Sequence, residues 1–511
     1  MPLAYFIMPN LSGTFRRFSH YFLLLLALAF LTACSEKHPP ELRFGLASMP
    51  SNLDPRFATD ASSSRIGRLL FQRLVDFNDA KQPVASIANW KKINDNLYRF
   101  TLNNSAADFH NGLPLTSKDV KATYDFILDA QNASPHRASL AIIDNISTPD
   151  TKTIEFQLSK PDPLFPGYLV VGILPAQLIA QQHDFNLQPV GSGPYQLKTH
   201  SKDGKLSIER IADRLTVKFV HVPNPTVRVL KLIRQEIDIV QNDLMPELID
   251  YLEAAGKVNI HKINGSRFSY IGFNMEDPNL KNINVRKAIA YGIDRKEIIN
   301  YVFGKSARPA NAILPPDHWA GNPSLHGYPY NPEKARFLLN SAGYSLQNPL
   351  MLTYKTSSDP FRIRVATIYQ HQLKKIGITM DIRSYDWGTF YGDIKAGRFQ
   401  LYSLSWIGIK TPDIFYYTSH SAAVPPNGAN RGRYKDKRAD QLITKAASFK
   451  NLAQQAKYYA ELQAYLLDQL PYVPLWYEDN IVITQKYVSN YTVSNDGNYD
   501  GLINVTLAKH K

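Results

Sequence analysis

The sequence predicts a mixed α/β protein divided into two or three domains. Its 511 residues are too many for one hydrophobic core, because cores stop growing beyond about 250–300 residues. Segments with strand periodicity alternate with segments with helix periodicity, and neither forms a fixed repeat. The 33 prolines outnumber the 26 glycines and are scattered along the chain, which favours many short strands joined by loops.

The periodic segments can be assigned in chain order. Residues 42–46 form a short apolar run that predicts a strand, and apolar residues at spacings of three and four predict a helix over 66–74. Alternating apolar residues then predict half-buried strands at 98–102, 154–158 and 215–219. Strands and helices are therefore interleaved rather than segregated.

Three helices carry recognisable end signals. Thr116 with Asp119 three residues later is a capping box, which starts a helix just before an apolar stripe. A second helix begins at Asn331, followed by proline and an acid, and ends at Gly343. A late apolar stripe at 452–466 predicts a third helix before the final proline-rich stretch.

The first 33 residues have the layout of a signal peptide. Residues 1–20 contain no acid and carry Arg16 and Arg17, and residues 21–30 are an unbroken apolar run. That run is about 10 residues long, well short of the roughly 20 that a membrane-spanning helix needs. We therefore expect the leader to be cleaved.

Cys34 is the only cysteine of the chain. Residues 31–34, Leu-Thr-Ala-Cys, resemble the bacterial lipoprotein box, in which the cysteine sulfur receives lipid and becomes the first residue after cleavage. The alternative is a small apolar residue that ends the leader. The resemblance implies a protein anchored in the bacterial cell envelope and facing the periplasm, and the choice between inner and outer membrane stays open.

Composition and motifs argue against several other functions. The net charge of +14 is spread along the whole chain, which favours a solvated basic surface over a nucleic-acid site. Residues 431–438 are the most concentrated basic stretch, and they lack the aromatic pattern of RNA-binding motifs. No nucleophile elbow, phosphate-binding loop or zinc motif is present. We predict no catalytic residue, no metal and no cofactor.

Seven short phrases follow one another along the chain, at residues 52–55, 98–120, 189–195, 272–274, 285–295, 330–335 and 470–476. Together and in this order they resemble the peptide-, nickel- and opine-binding receptors of ABC importers, often called solute-binding family 5. The resemblance covers about residue 42 to the C-terminal region. It implies a two-lobed periplasmic-binding-protein type II fold with an additional third domain and a ligand cleft between the lobes.

The resemblance also implies where the domains lie. We expect a tether and the start of lobe I at 34–60, the extra domain at 61–185, lobe I again at 186–263, lobe II at 264–477 and a C-terminal return to lobe I at 478–511. Gly191 and Gly193 beside a proline are hinge candidates, because glycine allows a sharp change of direction. An ordinary turn is the alternative interpretation.

The implied function is ligand capture without chemistry. A monomeric, lipid-anchored receptor would close its lobes around a peptide or peptide-like compound and deliver it to a pair of ABC permeases with associated ATPase subunits. One alternative is a receptor for a metal chelate, an opine or another small anion. Another is a surface lipoprotein that binds envelope or host components, and an exported hydrolase is a distant third.

Candidate ligand contacts follow from the same resemblance. Backbone contacts are expected near Ala47, Ser48 and Met49 and near Trp406, Ile407 and Gly408. The aromatic residues that would line side-chain pockets, or alternatively pack in the core, are Tyr385, Trp387, Trp406, Tyr416 and Tyr417. Arg431 and Arg433 are candidates for receiving a carboxylate, with a solvated loop as the alternative.

One departure from the family concerns residue 409. The family's peptide receptors usually carry an aspartate three residues after this tryptophan, where it pairs with the free amino terminus of the ligand, but this chain has Ile409. An unpaired ammonium group in a dry cleft costs several kcal/mol. We therefore expect a preference for ligands without a free α-amine, unless Asp386 or Asp413 supplies the missing carboxylate.

Overall fold

A computed structural model describes residues 40–201, 204–449 and 451–508. The predicted leader and Cys34 lie outside the described residues. The strands are β1 Glu41–Leu46, β2 Val75–Phe77, β3 Pro83–Ala85, β4 Ala88–Asn94, β5 Leu97–Leu102, β6 Ile143–Ser147, β7 Thr153–Leu158, β8 Tyr195–His200, β9 Leu206–Arg210, β10 Thr216–His221, β11 Ile239–Gln241, β12 Val258–Phe273, β13 Ala307–Pro309, β14 Leu350–Ser357, β15 Ile378–Tyr385, β16 Leu401–Trp406, β17 Tyr472–Gln485, β18 Val488–Ser489 and β19 Thr506–Leu507.

The helices alternate with these strands. They are α1 Ala61–Leu70, α2 Ser117–Leu128, α3 Arg137–Leu140, α4 Ala176–Ala180, α5 Pro225–Ile233, α6 Pro246–Ala255, α7 Ile283–Gly292, α8 Arg295–Val302, α9 Pro332–Ser341, α10 Pro360–Lys374, α11 Trp387–Ala396, α12 Ile414–Ser419, α13 Lys437–Ser448 and α14 Leu452–Gln469. None of the described helices is both long enough and apolar enough to cross a membrane.

Most predicted elements are confirmed. The three alternating segments form β5, β7 and β10, and the capping box of Thr116 and Asp119 starts α2. The side chain of Asn331 accepts from the Lys334 amide at 2.9 Å and starts α9. The helix predicted over 66–74 is different, because α1 ends at Leu70 and Leu74 is buried in the segment that leads to β2.

The main sheet has eleven strands, in the order β15-β14-β16-β12-β17-β11-β1-β10-β9-β8, with β13 paired to β17. At one end β1 lies parallel to β10 and β11, and at the other end β14 lies parallel to β15 and β16. The two long strands in the middle, β12 and β17, are antiparallel to each other. They therefore belong to both ends of the sheet.

The two halves of the β12–β17 pair have different neighbouring strands. Val258–Ile263 pairs with the C-terminal half of β17, next to β11, and the segment from Arg267 onwards pairs with its N-terminal half, next to β16. The register shifts between Ile263 and Arg267. Gly265 lies at this shift, where a Cβ atom would be only 2.2 Å from the Glu478 carbonyl oxygen. Both crossing strands are therefore irregular at their middle.

A smaller antiparallel sheet, β4-β5-β7-β6, packs with α2 over an apolar core drawn from residues 74–173. A second core joins β1, β8–β10 and β17 to side chains between Val488 and Val505. Two further cores belong to the chain between Phe268 and Tyr477. The core at residues 74–173 lies within the predicted extra domain, but the core of β1 also takes Ile66, Leu69 and Leu70 from that segment. The contacts join residues from Glu41 onwards into one compact unit, and the predicted boundaries stay a prediction.

Candidate ligand-binding cleft

A cleft of about 700 Å³ opens between α1 and the segment that follows β16. Its volume lies in the range of about 300–1,000 Å³ that is usual for small-molecule sites. One wall consists of residues from 53–77, 136–140 and 167–172, the opposite wall of residues from 406–417, and Asp496 and Asn498 complete it. Segments that are far apart in sequence thus face each other across one space.

The N-terminus of α1 lies in the first wall. Asp60 caps the helix by accepting from the Ser63 amide at 2.9 Å, and it also accepts from the hydroxyls of Ser51 and Ser63. Burial alone raises the pKa of Asp60, but these hydrogen bonds outweigh burial and lower it. The carboxylate is thus charged and already fully engaged.

Three arginines follow in the same wall, and the first, Arg65, lies 5.4 Å from the ring centre of Tyr499. Arg68 is held by Asp76 at 2.9 Å and by Asp500. Arg73 has a weaker partner, since Asp76 is 3.6 Å away, and its Nε is buried without a hydrogen-bond acceptor. Burial and the neighbouring Arg68 lower the pKa of Arg73 to about 10, so it stays protonated at neutral pH. Arg73 is a cation of the cleft with donor capacity to spare.

The opposite wall begins where β16 ends. Trp406 pairs with Phe268 of β12, and Gly408 then takes a left-handed conformation at φ 72°, which turns the chain along the cleft. Lys410 forms an ion pair with Asp496 from the far end of the chain. The positive charge of Lys410 is therefore balanced within the protein.

Asp413 is the acid of this wall, and it is open to the cleft but surrounded by protein. This enclosure raises the pKa of Asp413 to about 6. The hydrogen bond from the Thr411 hydroxyl lowers the pKa, whereas the negative charge of the nearby Asp162 raises it further. Among the described residues no basic group lies within ion-pair distance of Asp413. The carboxylate has capacity for a cationic partner.

Comparison with known proteins then identifies the class of the molecule. Residues 83–426 match the description of bacterial extracellular solute-binding proteins, family 5 (middle region). The chain belongs to this family. The match covers more than half of the chain and includes the cleft wall at residues 406–417, whereas the lining residues from 53–77 lie before it.

Relatives of the family 5 chain resemble it over nearly its whole length. It is 29% identical to di/tripeptide-binding protein 2 of Pseudomonas aeruginosa, with 93% of this chain and 96% of that protein covered. An ABC transporter-associated periplasmic binding protein from Helicobacter pylori, solved with the peptide STSA, is 25% identical with a TM-score of 0.78, covering 92% and 98%. NikZ from Campylobacter jejuni, solved with Ni(L-His), is 22% identical with a TM-score of 0.79, covering 91% and 99%. The predicted type II fold with a third domain is confirmed.

Five predicted ligand contacts of this family 5 protein lie together in the cleft. They are Trp406, Ile407, Gly408, Ile409 and Tyr417. Trp406 and Tyr417 meet edge to face with their ring centroids 6.1 Å apart. Ile409 also packs against the apolar core below it. The segment that the resemblance singled out therefore lines the cleft, and its contact with a ligand stays a prediction.

Ala47 and Ser48 lie in a different cavity, of about 410 Å³. Its other walls include Arg267 and Glu478 of the crossing strands, 3.4 Å apart, and Arg362 of α10, 3.7 Å from Glu478. Both predicted groups of backbone contacts thus face cavities, but not the same one. Met49 packs against the core of β1 instead.

The other predicted aromatic contacts are outside the cleft. Tyr385 packs against an apolar core with the Lys355 ammonium 5.2 Å from its ring. Trp387 is 59% exposed and stacks on Tyr391, and Tyr416 is exposed and stacks on His420. Nothing in the structure brings these three side chains to the ligand space.

The two predicted carboxylate receptors differ from each other. Arg431 is buried beneath Trp406 and lines a separate small cavity. Arg433 donates to the Arg431 carbonyl at 2.7 Å and lies 3.5 Å from Glu276. Arg433 therefore holds the loop together, while Arg431 remains a buried cation next to the cleft wall.

The predicted hinge residues Gly191 and Gly193 lie close to the backbone at the end of α1. A Cβ atom on Gly191 would lie 2.0 Å from the Leu70 carbonyl oxygen, and one on Gly193 would lie 2.3 Å from that of Leu69. These glycines permit close packing against the end of α1, so the hinge at Gly191 and Gly193 stays a prediction. The crossing strands with Gly265 are a second hinge candidate that periodicity did not reveal.

Sequence reasoning missed Arg73 and Lys410 and treated Asp413 only as a replacement. Each of them is a charged residue near apolar residues in the sequence. A single sequence does not distinguish such a residue from a charged residue on the protein surface. Asp386, the other proposed replacement, accepts from the Thr389 amide at 3.1 Å as the cap of α11 and lies outside the cleft. Within the described residues, no group of three or more metal-ligating side chains is placed to hold an ion.

Proposed function

We propose that this family 5 protein is the receptor of an ABC importer and binds short peptides in the cleft between α1 and residues 406–417. The observation that carries the proposal is the pairing, in one cleft of about 700 Å³, of a cation with unused donors, Arg73, and an acid without a basic partner, Asp413. A peptide with free ends carries one group of each complementary charge. The names of the Pseudomonas and Helicobacter proteins support this ligand class.

Closure of two lobes is the proposed mechanism. Several ion pairs join segments assigned to different lobes, among them Lys410 with Asp496, and Arg364 of α10 with Glu247 of α6. Between them, β12 and β17 are the covalent connections, with their register shift near Gly265. A ligand that contacts both walls favours the closed arrangement by its differential affinity. The closed form would then be presented to the permease pair and its ATPase subunits.

The ligand class can be tested by titration calorimetry of the mature protein with di- and tripeptides, after ligand retained from the native host has been removed and identified by mass spectrometry. We expect a peptide to bind with a dissociation constant in the micromolar range or below. At a hundredfold excess over the dissociation constant it should stabilise the fold by about 2.7 kcal/mol. The proposal would be overturned if none of the peptides bound and the protein from its native host carried a metal chelate or an opine.

Closure has its own measurement. Solution scattering with saturating peptide should give a smaller radius of gyration than scattering without peptide. Arg73→Gln serves as a matched variant, because it removes the unused donor without touching the ion pairs between the walls. It should weaken peptide binding while leaving the scattering curve of the ligand-free protein unchanged. Tight binding with no change in radius would count against closure.

A further inference from the structure

A second cavity adjoins the cleft and has Trp406 as a shared wall. Its volume is about 30 Å³, and its polar lining comes from Tyr270, Tyr402, Thr418, Asn430, Arg431, Tyr434 and Tyr472. One probe sphere of about 10–15 Å³ corresponds to one water, so this space admits one or two waters or a single small ion. A peptide does not fit. The cavity therefore needs an explanation separate from the ligand cleft.

Arg431 is the charged residue of this cavity, and only 9% of it is exposed. Its guanidinium lies 4.7 Å from the Trp406 ring centre and 5.4 Å from that of Tyr391. It donates to the hydroxyls of Tyr270 at 3.2 Å and Tyr391 at 3.1 Å. No carboxylate among the described residues lies within 4 Å of it. An arginine stays protonated in proteins, so a positive charge is buried here without a negative partner.

The tyrosines add a proton donor to the same space. The hydroxyl oxygens of Tyr270 and Tyr402 are 3.4 Å apart, and both residues are buried. Only one of their two protons can lie between the oxygens, and the hydrogen bonds of the described residues provide no other acceptor for either hydroxyl. One O–H group is therefore left to donate into the cavity.

We propose that this cavity binds one small monovalent anion, of the size of chloride. The guanidinium and the spare hydroxyl are both donors, and the lining contains no acidic side chain. A water molecule would satisfy a donor but would leave the charge of Arg431 unbalanced, whereas a halide satisfies both. The volume of about 30 Å³ suits an ion of this size. Because Trp406 separates the cavity from the cleft, the anion would also support one wall of the ligand site.

Two measurements on the ligand-free mature protein test the anion. Crystals soaked in sodium bromide should show an anomalous-scattering peak beside the guanidinium of Arg431. The melting temperature should rise saturably with chloride or bromide relative to sodium gluconate at equal ionic strength, because gluconate is too large for the cavity. Neither measurement uses a peptide, so this test fails or succeeds independently of the proposed transport function.

Variants assign the effect to the cavity. Arg431→Gln should lose both the bromide peak and the halide-specific rise. Tyr402→Phe keeps the shape of the side chain and should weaken halide affinity about ten- to a hundredfold, which is the loss of one hydrogen bond to a charged group. Arg438→Gln is the control, because this exposed arginine also lies over a tyrosine ring, 4.9 Å away, but outside the cavity. It should behave as the wild type.

The opposite results are equally clear. Wild-type melting that follows ionic strength alone, whatever the anion, would overturn the proposal. So would a cavity that contains density without anomalous signal, because it would then hold water only. Arg431→Gln could fail to fold. In that case the site would be rejected if Tyr402→Phe had the same halide affinity as the wild type and the wild type showed no bromide peak.

Discussion

At position 413 the cleft holds an acid whose charge is balanced by no basic side chain of the described chain. Its pKa of about 6 lies above the ordinary value of 3.8, since enclosure disfavours the charged form and Asp162 repels it. Asp413 therefore contributes stability below about pH 4 that is lost as the pH rises through 6. An ammonium group from a ligand would remove this penalty, which makes Asp413 the suited replacement for the aspartate that Ile409 displaces.

The first prediction concerns this acid. The affinity of the wild type for a tripeptide with a free amine should rise about tenfold from pH 5 to pH 7, because the ionised fraction of a group with a pKa of about 6 rises from about a tenth to about nine-tenths. Calorimetric titration of the peptide and its N-acetylated form measures this. Asp413→Asn should abolish the rise, and the acetylated peptide should not show it.

Asp386→Asn is the matched control, because Asp386 caps a helix outside the cleft. It should leave the pH profile of binding unchanged. If the acetylated peptide binds as tightly as the free one at pH 7, Asp413 does not receive an amine. An acetylated peptide that binds more tightly than the free one would show the preference for ligands without a free α-amine that Ile409 alone suggests.

The ligand residues were only partly predictable at this scale. Trp406, Ile407, Gly408 and Ile409 form one contiguous phrase, and a phrase can be matched to a family from a single sequence. Arg73 could not be found in this way, because its importance comes from a missing acceptor and from a cleft wall, residues 406–417, that is far away in sequence. Burial and partnership are properties of the folded chain, and periodicity does not record them.

Among the elements, β12 and β17 connect the two ends of the main sheet. β12 pairs with β16, β17 pairs with β11, and the register shift between β12 and β17 lies where these outer partners change. Gly265 lies at that shift with no room for a side chain beside the Glu478 carbonyl. The two crossing strands can bend here because their ladder is already interrupted.

The second prediction concerns Gly265. Gly265→Ala should lower the free energy of unfolding by about 1–3 kcal/mol, because the new Cβ forces the crossing strands apart. Denaturant unfolding measures it. Gly392→Ala is the matched control, since a Cβ there meets nothing within 4 Å in helix α11. The control should be neutral or more stable by about 0.5–1 kcal/mol. Equal effects of the two substitutions would contradict a tight crossing at Gly265.

Element prediction succeeded where local patterns were strong. The capping box at Thr116 and the alternation of β5 and β7 depend on neighbours in sequence, and both are confirmed. The end of α1 was misplaced because Leu74 is buried by tertiary packing after the helix has finished. An apolar residue at helical spacing does not distinguish these two situations.

At the scale of the whole molecule, the proposed lipid anchor decides where the receptor works. The third prediction is that Cys34→Ala abolishes labelling by a fatty-acid probe in cells, because Cys34 is the only cysteine available for acylation. Cys34→Ser is a second variant that keeps the size of the side chain and should behave in the same way. Labelling that persists in both variants would contradict the anchor, while binding of peptides by the soluble part would be unaffected.

The overall arrangement was accessible from sequence only through the family resemblance. Periodicity predicted alternating strands and helices, but it does not say that β1 lies beside β11 and that β11 lies beside β17. These neighbours are separated by about two hundred residues or more, and a single chain offers no local signal for such pairing. The order of seven phrases supplied what periodicity could not.

The packing of the last residues against the first strand has a consequence for biosynthesis. Side chains from Val488 to Val505 share a core with β1, and β17 is a central strand of the main sheet. A growing chain therefore cannot complete the core that contains β1 until almost all of it has left the ribosome, because the closing partners come last. For a protein predicted to be threaded through a membrane before it folds, this delay is useful. Translation and translocation can finish before the core that contains β1 has formed.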